Sequence, residues 1–414
     1  MARRHLIGLL LAMEESWPTA FEAVLSGLGS IRYRGETHEF PTERIVNEPF
    51  DLRAVPPYAL VIDRLSWWYV VPREWLKKIA LMDDVYLLNN PFTFQAMEKH
   101  SAYCAGIRLG LNVPKTWLIP HKLPPANPRF AQLAERYYRE FDLDEVTEDV
   151  GFPLFMKPFN GGAWMDVSRI TSAEQLRGAY DASGERLMHV QASVEDYDVF
   201  ARSLSIGPQT LVVRYDPTLD YYDRYVPERC VVSPELECEL VTLSRLVNAF
   251  FRWELNSCEV IVKDGVTHPI DYANASPDLS LVSLHYWFPW AITSLVAWCL
   301  FCCVSGRQMR LNQATRDYFA IGDDPDLGYS EKLERYRRLA DAYFEADAFE
   351  EFRAASLPHL TDVMVEFLES REFDDLLVRV VRAEPAELHE LLVERGRERI
   401  RAWVADQAGA VAQR

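Results

Sequence analysis

The stretch GFPLFMKPFNGGAWMDV, residues 151–167, ends an apolar run with Lys157 and follows it with Asn160, Gly161, Gly162 and Ala163. A short apolar run of this kind predicts a buried strand. The lysine would supply a compact positive charge, and the glycine pair would supply flexible backbone amides. Amides of this kind can close over a phosphate chain. The segment therefore predicts a phosphate-binding strand and loop; an ordinary solvated lysine is the alternative.

A second candidate phosphate ligand, Lys99, lies in MEKHSAYCAG, residues 97–106, at the start of a predicted helix. From that position an ammonium group could also point at phosphate oxygens. A surface lysine is the competing interpretation here too, and the apolar neighbours of Lys157 favour Lys157 over Lys99 as a buried ligand.

The stretch HVQASVEDYDVFARSLSIG, residues 189–207, leads from a buried strand into a polar hinge. Gln191, Val194 and Asp198 lie at offsets of three and seven, where backbone groups could meet a purine and a carboxylate could meet a ribose. An exposed exit from a strand is equally compatible with these residues. Arg202 and Arg214 follow in strand contexts, where burial requires an anionic partner, either a protein carboxylate or a bound anion.

Three oxygen-bearing side chains, Glu259, Asp271 and Asn274, surround a predicted hairpin at Asp264-Gly265. Magnesium prefers one or two carboxylates completed by water and substrate phosphates, so this trio is a candidate metal site. Solvated acids on an edge hairpin are the alternative.

Composition limits the class of protein. The chain has 414 residues, 62 acidic against 44 basic side chains and a formal charge of −18. This length predicts two or three packed domains, and the negative charge argues against binding to nucleic acid. The seven cysteines are odd in number, and three of them lie in an apolar run with no paired metal-ligand spacing elsewhere, which indicates a reducing, cytoplasmic compartment.

Two apolar segments could be mistaken for membrane or export signals. The segment 1–13 resembles a short signal peptide, but Glu14 and Glu15 follow at once, so we expect a buried first strand and then a helix. Residues 279–306 carry no Asp, Glu, Lys or Arg and are long enough to cross a bilayer. Their polar residues and the lack of a second span favour a buried helix over a membrane anchor.

The pattern along the chain predicts an α/β (α+β) protein. Short strands alternate with helices over residues 5–95, strands with one helix near 172–182 predominate over 151–262, and helices follow residue 328.

The order of these motifs, from about Leu6 to Pro277, resembles that of the ATP-grasp superfamily of ATP-dependent carboxylate-amine ligases. The resemblance implies a Rossmann-like pre-ATP-grasp domain (1–95), a linker helix and lid (96–190), a central metal-binding subdomain (191–310) and an additional C-terminal helical region (311–414). The last region would shape the acceptor pocket or a subunit interface, as in a homodimer.

The same resemblance implies roles for the candidate residues. Lys99 and Lys157 would contact the ATP phosphates, Asn160 to Ala163 would cover them, and Gln191, Val194 and Asp198 would hold adenine and ribose. Mg²⁺ would be bound by Glu259, Asp271 and Asn274. Arg214 or Arg202 would stabilise the oxyanion.

Two departures from the family pattern concern the metal trio. The family usually has Asp first and then Glu-x-Asn, whereas this chain has Glu259 first and then Asp271-x-x-Asn274. A two-residue turn at Asp264-Gly265 would place Glu259 opposite Ile270, so a β-bulge is required if Asp271 is to reach the site, and a neighbour of Asp271 stays open as the ligand.

The implied activity is formation of an acyl phosphate from a small-molecule carboxylate and ATP, followed by attack of an amine, with an amino acid or a peptide-like compound as substrate. A small-molecule kinase and a non-catalytic nucleotide-binding protein are the alternatives. Glu14, Glu15, Trp17, Trp67 and Trp68 could line a substrate pocket, although core or interface positions are the commoner use of tryptophan.

Overall fold

The computed structural model describes residues 2–46, 48–67, 69–93, 98–123, 127, 129, 132, 136, 141–162, 164–228, 232–274 and 276–412. Ala163 of the predicted phosphate loop and Trp68 lie outside the described residues.

In this part of the chain the strands are β1 Arg3–Arg4, β2 Ile7–Leu10, β3 Ile31–Tyr33, β4 Glu36–Glu39, β5 Thr42–Arg44, β6 Leu60–Asp63, β7 Tyr86–Leu88, β8 Thr116–Ile119, β9 Leu154–Pro158, β10 Ser168–Ile170, β11 Met188–Ala192, β12 Val199–Ile206, β13 Gln209–Arg214, β14 Leu255–Lys263 and β15 Val266–Asn274. The α-helices described are Ser16–Leu28, Val70–Met82, Lys99–Arg108, Leu143–Val150, Ala173–Ser183, Pro234–Phe251, Leu281–Leu284, Phe288–Ser305, Thr315–Gly322, Tyr329–Phe344, Ala346–Ser356, Leu360–Leu368, Arg371–Val381 and His389–Ala412. The predicted mixed α/β class with an added C-terminal helical region is confirmed.

The N-terminal part is built on a parallel sheet in the order β5-β2-β6-β7. All four residues of β2 are buried, and the helix Ser16–Leu28 follows. The prediction of a buried first strand leading into a helix is therefore confirmed. The strands β1, β3 and β4, from the same part of the sequence, form a separate small sheet in the order β1-β4-β3.

The second sheet, in the order β10-β9-β11-β8, is antiparallel. Side chains from its strands and from the helices Leu143–Val150 and Ala173–Ser183 form a separate small core, which includes Leu154, Met156 and Leu176. Because Lys157 alternates with Met156 along β9, the lysine and the core methionine leave the sheet on opposite faces.

The third sheet, in the order β13-β12-β14-β15, is also antiparallel. Its last hairpin turns at Asp264 and Gly265, both with positive φ (51° and 74°), as an Asp-Gly two-residue turn requires. The predicted hairpin is confirmed. The four-domain division of the chain stays a prediction.

One prediction in this region was wrong, because residues 234–251 form a helix where strands were expected. The Ser233 hydroxyl accepts a hydrogen bond from the Leu236 N–H at 3.3 Å, and Pro234 occupies the first helical turn. Glu235 and Glu237 also lie in the first turn. Together these are strong start signals for a helix, and the sequence contained them.

The apolar segment forms the helix Phe288–Ser305 in the main core, where Trp298 and Phe301 pack against the C-terminal helices through Phe344, Phe349 and Phe352. The segment Leu281–Ser305 is long and apolar enough to cross a membrane. Its most apolar window has a mean hydropathy of 1.8, and 78% of that window is buried within the protein. The prediction of a buried helix agrees with this packing.

Candidate functional site

A cavity of about 340 Å³ is lined by the second and third sheets and by the start of the helix Lys99–Arg108. Of the residues singled out from the sequence, those that line it are Lys99, Lys157, Asn160, Gly161, Gly162, Gln191, Val194, Arg202, Glu259, Asp271 and Asn274. Residues up to 175 positions apart in the chain (99 and 274) thus meet at one cavity.

Lys157 lies at the end of β9 and is 7% exposed. Its Nζ donates hydrogen bonds to Gln191 Oε1 at 2.7 Å and to the Ile270 carbonyl at 2.9 Å. Burial lowers the pKa of Lys157 to about 8; the positive charge of Lys99 acts in the same direction, and the carboxylates Asp271 and Glu259 oppose it.

Lys99 begins the helix Lys99–Arg108 and is 5% exposed. Its backbone N–H donates to the Phe159 carbonyl at 2.7 Å, and its Nζ donates to the Gly161 carbonyl at 2.5 Å. The same Nζ lies 3.0 Å from Asp271 Oδ2. The lysine thereby links the glycine loop after β9 to the carboxylate on β15.

Arg202, Glu259 and Asp271 form a row across three adjacent strands. The register pairs Arg202 on β12 with Glu259 on β14, and Glu259 with Asp271 on β15. Directly opposed residues of an antiparallel sheet project on the same face, so the three side chains meet. Arg202 Nη1 lies 3.5 Å from Glu259 Oε1.

A β-bulge produces this row. The turn register runs from Lys263–Val266 to Val260–Pro269, and the next pair is Glu259–Asp271, so Ile270 has no partner in the ladder. The freed Ile270 carbonyl accepts hydrogen bonds from Lys157 Nζ and from the Tyr103 hydroxyl at 2.7 Å. A second irregularity between Ser257 and Glu259 places Asn274 opposite Ser257, and the required bulge is confirmed.

One oxygen of the acidic pair Glu259 and Asp271 has no hydrogen-bond partner among the described residues. Burial raises the pKa of Glu259 above its ordinary value; Asp271 adds to this effect and Arg202 opposes it. Asp271 Oδ1 is buried and accepts no hydrogen bond from the described residues. A cation at this point would contact the free oxygen of Asp271.

The residues fit magnesium as far as donor chemistry goes. Two carboxylates and the Asn274 amide supply only oxygen donors, and magnesium commonly takes one or two carboxylates with water and substrate phosphates. Within the described ranges no group of three or more His, Cys, Asp or Glu side chains is placed to hold a metal.

Of the three predicted hinge residues, two line the cavity and one, Asp198, does not. Gln191 and Val194 line the cavity, and Gln191 Nε2 donates to Thr116 Oγ1 at 2.7 Å. Asp198 is exposed outside the lining, where its Oδ2 accepts from the Asp264 N–H at 2.8 Å. It precedes β12 at the hairpin-turn end of the sheet, about 13 Å along the strand from Arg202.

The two predicted arginines lie on opposite faces of the sheet because of the strand register. Arg202 pairs with Val213, whereas Arg214 pairs with Ala201. Neighbouring residues on a strand point to opposite faces, so only Arg202 faces the cavity. Arg214 is exposed and lies 3.4 Å from Glu228.

Several cavity residues were not singled out as site residues from the sequence. These are Phe155, Trp164, Tyr215, Tyr221, Arg224, Tyr225 and Asp278. Trp67, which the sequence offered only as one possible pocket residue, also lines the cavity. By contrast Trp17 is in the core, and Glu14 forms an ion pair with Arg64 at 2.6 Å. The polar, tyrosine-rich tract between β13 and the helix Pro234–Phe251 is the sequence feature that could have identified Tyr215, Tyr221, Arg224 and Tyr225 as cavity residues.

Parts of this chain are similar in sequence to known D-alanine–D-alanine ligases. The D-alanine–D-alanine ligase of Cupriavidus taiwanensis is 33% identical over 84 residues, which cover 20% of this chain and 22% of the relative. That of Cupriavidus necator is 32% identical over 142 residues, covering 29% and 39%. The resemblance to ATP-grasp ligases is confirmed. This ATP-grasp-like chain spans between 22% and 48% of the length of the curated relatives it matches.

No family model matches the chain. Among solved structures, the RimK domain protein ATP-grasp from Sphaerobacter thermophilus has a TM-score of 0.49 at 13% identity, covering 71% of this chain and 99% of that one. D-alanine–D-alanine ligase from Bacillus anthracis, complexed with ATP, has a TM-score of 0.47 at 12% identity, covering 84% and 100%.

Proposed function

We propose that this protein is an ATP-dependent ligase that activates a carboxylate as an acyl phosphate and joins it to an amine. The observation that carries the proposal is the convergence of two buried lysines with Glu259 and Asp271 on one cavity. Buried ammonium groups need anionic partners. In the described part of the protein Lys99 is paired with one carboxylate and Lys157 contacts only neutral oxygens. The phosphates of a nucleoside triphosphate would supply further negative charge for both.

In this proposal Lys157 and Lys99 bind phosphate oxygens, and the loop with Asn160, Gly161 and Gly162 covers them. Gln191 and Val194 contact the adenine. The charges of Lys99 and Asp271 balance each other at 3.0 Å in this structure. A bound magnesium–phosphate complex would supply a cation for Asp271 and an anion for Lys99.

Glu259, Asp271 and Asn274 would hold magnesium, which when bound neutralises phosphate charge. Arg202 would stabilise negative charge on the reacting carboxyl group, since its guanidinium is buried beside Tyr215 and Tyr225 at 5.0 and 5.4 Å from the ring centres. Although burial alone would lower the pKa of Arg202, Tyr225 and Glu259 raise it above its ordinary value. Arg202 therefore stays charged throughout the reaction.

The proposed reaction has two steps. A carboxylate oxygen forms a bond to the γ-phosphorus of ATP while the bond to ADP breaks. The amine nitrogen then bonds to the acyl carbon and loses a proton to solvent, and the bond from the acyl carbon to the phosphate-bearing oxygen breaks, so that phosphate leaves with that carboxylate oxygen. The proposed catalysis is positioning and charge stabilisation, with no covalent protein nucleophile.

A test of this function measures ADP release from the purified protein with magnesium and ATP, using pools of small carboxylic acids and amines. A ligase requires both pools. It also transfers one ¹⁸O atom from a labelled carboxylate to the released phosphate. ADP release with an alcohol alone would instead identify a kinase, and thermal stabilisation by nucleotide without turnover would identify a binding protein.

The lowered pKa of Lys157 predicts pH-dependent nucleotide binding. Phosphate contact favours the ammonium form, so above the free-protein pKa of about 8 binding must take up a proton. Affinity should then fall by up to about tenfold per pH unit. Below that pH it should be flat.

The measurement is the dissociation constant of a non-hydrolysable ATP analogue with EDTA present, so that only the chain's own charges act. In Lys157→Arg the guanidinium stays charged, and the decline should disappear. An affinity that stays constant in the wild type from about pH 7 to about pH 9.5 would contradict the role of Lys157.

A further inference from the structure

Residues 215–226, which we call the cavity loop, have one side on the cavity and another on the C-terminal helices. The members of the loop that line the cavity are Tyr215, Tyr221, Arg224 and Tyr225. Residues Tyr221–Asp223 form a turn of 3₁₀-helix that ends at Arg224. Side chains three residues apart eclipse each other in such a turn, so Tyr221 and Arg224 project from the same side. Tyr222 and Asp223 therefore project away from that side.

The ends of the cavity loop are held by the third sheet. Tyr215 and Tyr225 form an antiparallel bridge, and the Asp216 N–H donates to the Arg224 carbonyl at 2.9 Å. The Val226 N–H donates to the carbonyl of the last residue of β13 at 3.0 Å. The tip of the loop, residues 217–223, lies beyond these bonds, so its position depends on further contacts.

Two polar contacts join the tip to the C-terminal helical region. Arg395, on the helix His389–Ala412, donates from Nη1 to Asp223 Oδ2 at 2.5 Å, and both side chains are only 27% exposed. Glu384 Oε2 accepts a hydrogen bond from the Tyr222 hydroxyl at 2.9 Å. Because partly buried charges are screened less than exposed ones, the ion pair fixes the tip against the helix.

The cavity side of the loop surrounds Arg202. The rings of Tyr215 and Tyr225 are buried and lie 5.0 and 5.4 Å from its guanidinium, and they pack edge to face at 5.3 Å. The proposed nucleotide ligands are on or beside the second sheet and on the helix Lys99–Arg108. A displaced loop would therefore disturb the end of the cavity where the carboxylate reacts and leave the nucleotide end intact.

We propose that Arg395 and Glu384 are positioning residues, which hold the cavity loop in the position that binds the carboxylate and amine substrates. They act through Asp223 and Tyr222, and neither is among the residues that line the cavity. The kinetic consequence rests on the proposed ligase function, whereas the anchoring of the loop can be measured without turnover.

The test combines two measurements on the full chain. Hydrogen exchange followed by mass spectrometry reports the backbone protection of peptides that cover residues 216–226. Steady-state ADP release with ATP, magnesium and the carboxylate and amine pools reports substrate binding and turnover. The variants are Arg395→Gln, Arg395→Lys and Tyr222→Phe.

The matched control is Arg397→Gln, from the same helix. Residues two positions apart on a helix do not share a face, and Arg397 is paired with Asp374 at 2.9 Å, on the helix Arg371–Val381. This change removes an ion pair within the C-terminal helical region without touching the cavity loop.

In Arg395→Gln we expect exchange of the loop peptides to be about 10-fold faster, because a hydrogen bond to a charged group is lost. ADP release at limiting pool concentrations should fall by about 10- to 100-fold, while the KM for ATP is unchanged. Arg395→Lys keeps the charge and should recover part of both losses. Tyr222→Phe should act in the same direction more weakly, and Arg397→Gln should change neither quantity.

Unchanged exchange of the loop peptides in Arg395→Gln would overturn the proposal, and so would faster exchange with unchanged ADP release. An equal loss in Arg397→Gln would also contradict it, because the cause would then be general destabilisation of the helices. If the wild type releases no ADP with any pool, the ligase proposal fails, and the exchange rates still decide whether the C-terminal helices hold the loop.

Discussion

Replacing Lys157 with alanine should lower ADP release by about 10²-fold or more while the fold persists. The ammonium is buried at the end of β9 and has no carboxylate in direct hydrogen-bond contact among the described residues; its partners are Gln191 Oε1 and the Ile270 carbonyl. That arrangement leaves its charge for a bound phosphate. The measurement is ADP release with saturating carboxylate and amine pools.

The fold should tolerate this change because Ile270 keeps its hydrogen bond from the Tyr103 hydroxyl at 2.7 Å. The matched control is Lys115→Ala, which removes an exposed lysine paired with Asp149 beside the same sheet. Both variants should unfold at similar temperatures, and only Lys157→Ala should lose activity. Full activity in Lys157→Ala would refute the assignment.

Replacing Arg202 with glutamine should reduce turnover by about 10²- to 10³-fold with little change in the KM for ATP. The guanidinium faces the cavity beside Glu259, and the proposed nucleotide contacts are made by other residues. Loss of an interaction that forms only in the transition state lowers kcat and leaves ground-state binding intact. Steady-state kinetics at several ATP concentrations separate the two constants.

The same substitution should also destabilise the protein, because it leaves Glu259 buried without its cation, and breaking such a pair costs about 3–5 kcal/mol. The double variant Arg202→Gln, Glu259→Gln should regain much of that stability and remain inactive. Arg202→Lys restores the charge without the planar fork, so it should recover stability more fully than turnover. A rise in the KM for ATP with unchanged kcat would contradict the proposed role.

Local features were readable from the sequence. The Asp264-Gly265 turn, the strand that ends at Lys157, and the helices after Glu15 and before Gly184 were all predicted from residue pattern and turn chemistry. The resemblance to ATP-grasp ligases rested on the order of such features. The helix Pro234–Phe251 was not predicted, although Ser233, Pro234 and two glutamates are typical of a helix start. The strand-like pattern of the neighbouring segments led to the prediction of strands there.

The choice between Arg202 and Arg214 depended on register. Both arginines have similar local sequences, and only the pairing of Arg202 with Val213 and Glu259 determines which one faces the cavity. The same applies to Asp271, which reaches Glu259 because a bulge at Ile270 shifts the ladder by one residue. Arg224 depends on tertiary structure in a third way, since it lines the cavity only because its loop folds back to the end of the sheet.

The sequence by itself determined the residue types, the elements that carry them and the family that their order resembles, since these depend on neighbours within a few positions along the chain. Only the tertiary structure decided which side chains share the cavity, because a shift of one residue in a strand pair reverses the face on which a side chain lies. The bulge at Ile270 is the physical reason that a distant carboxylate meets two lysines at one site.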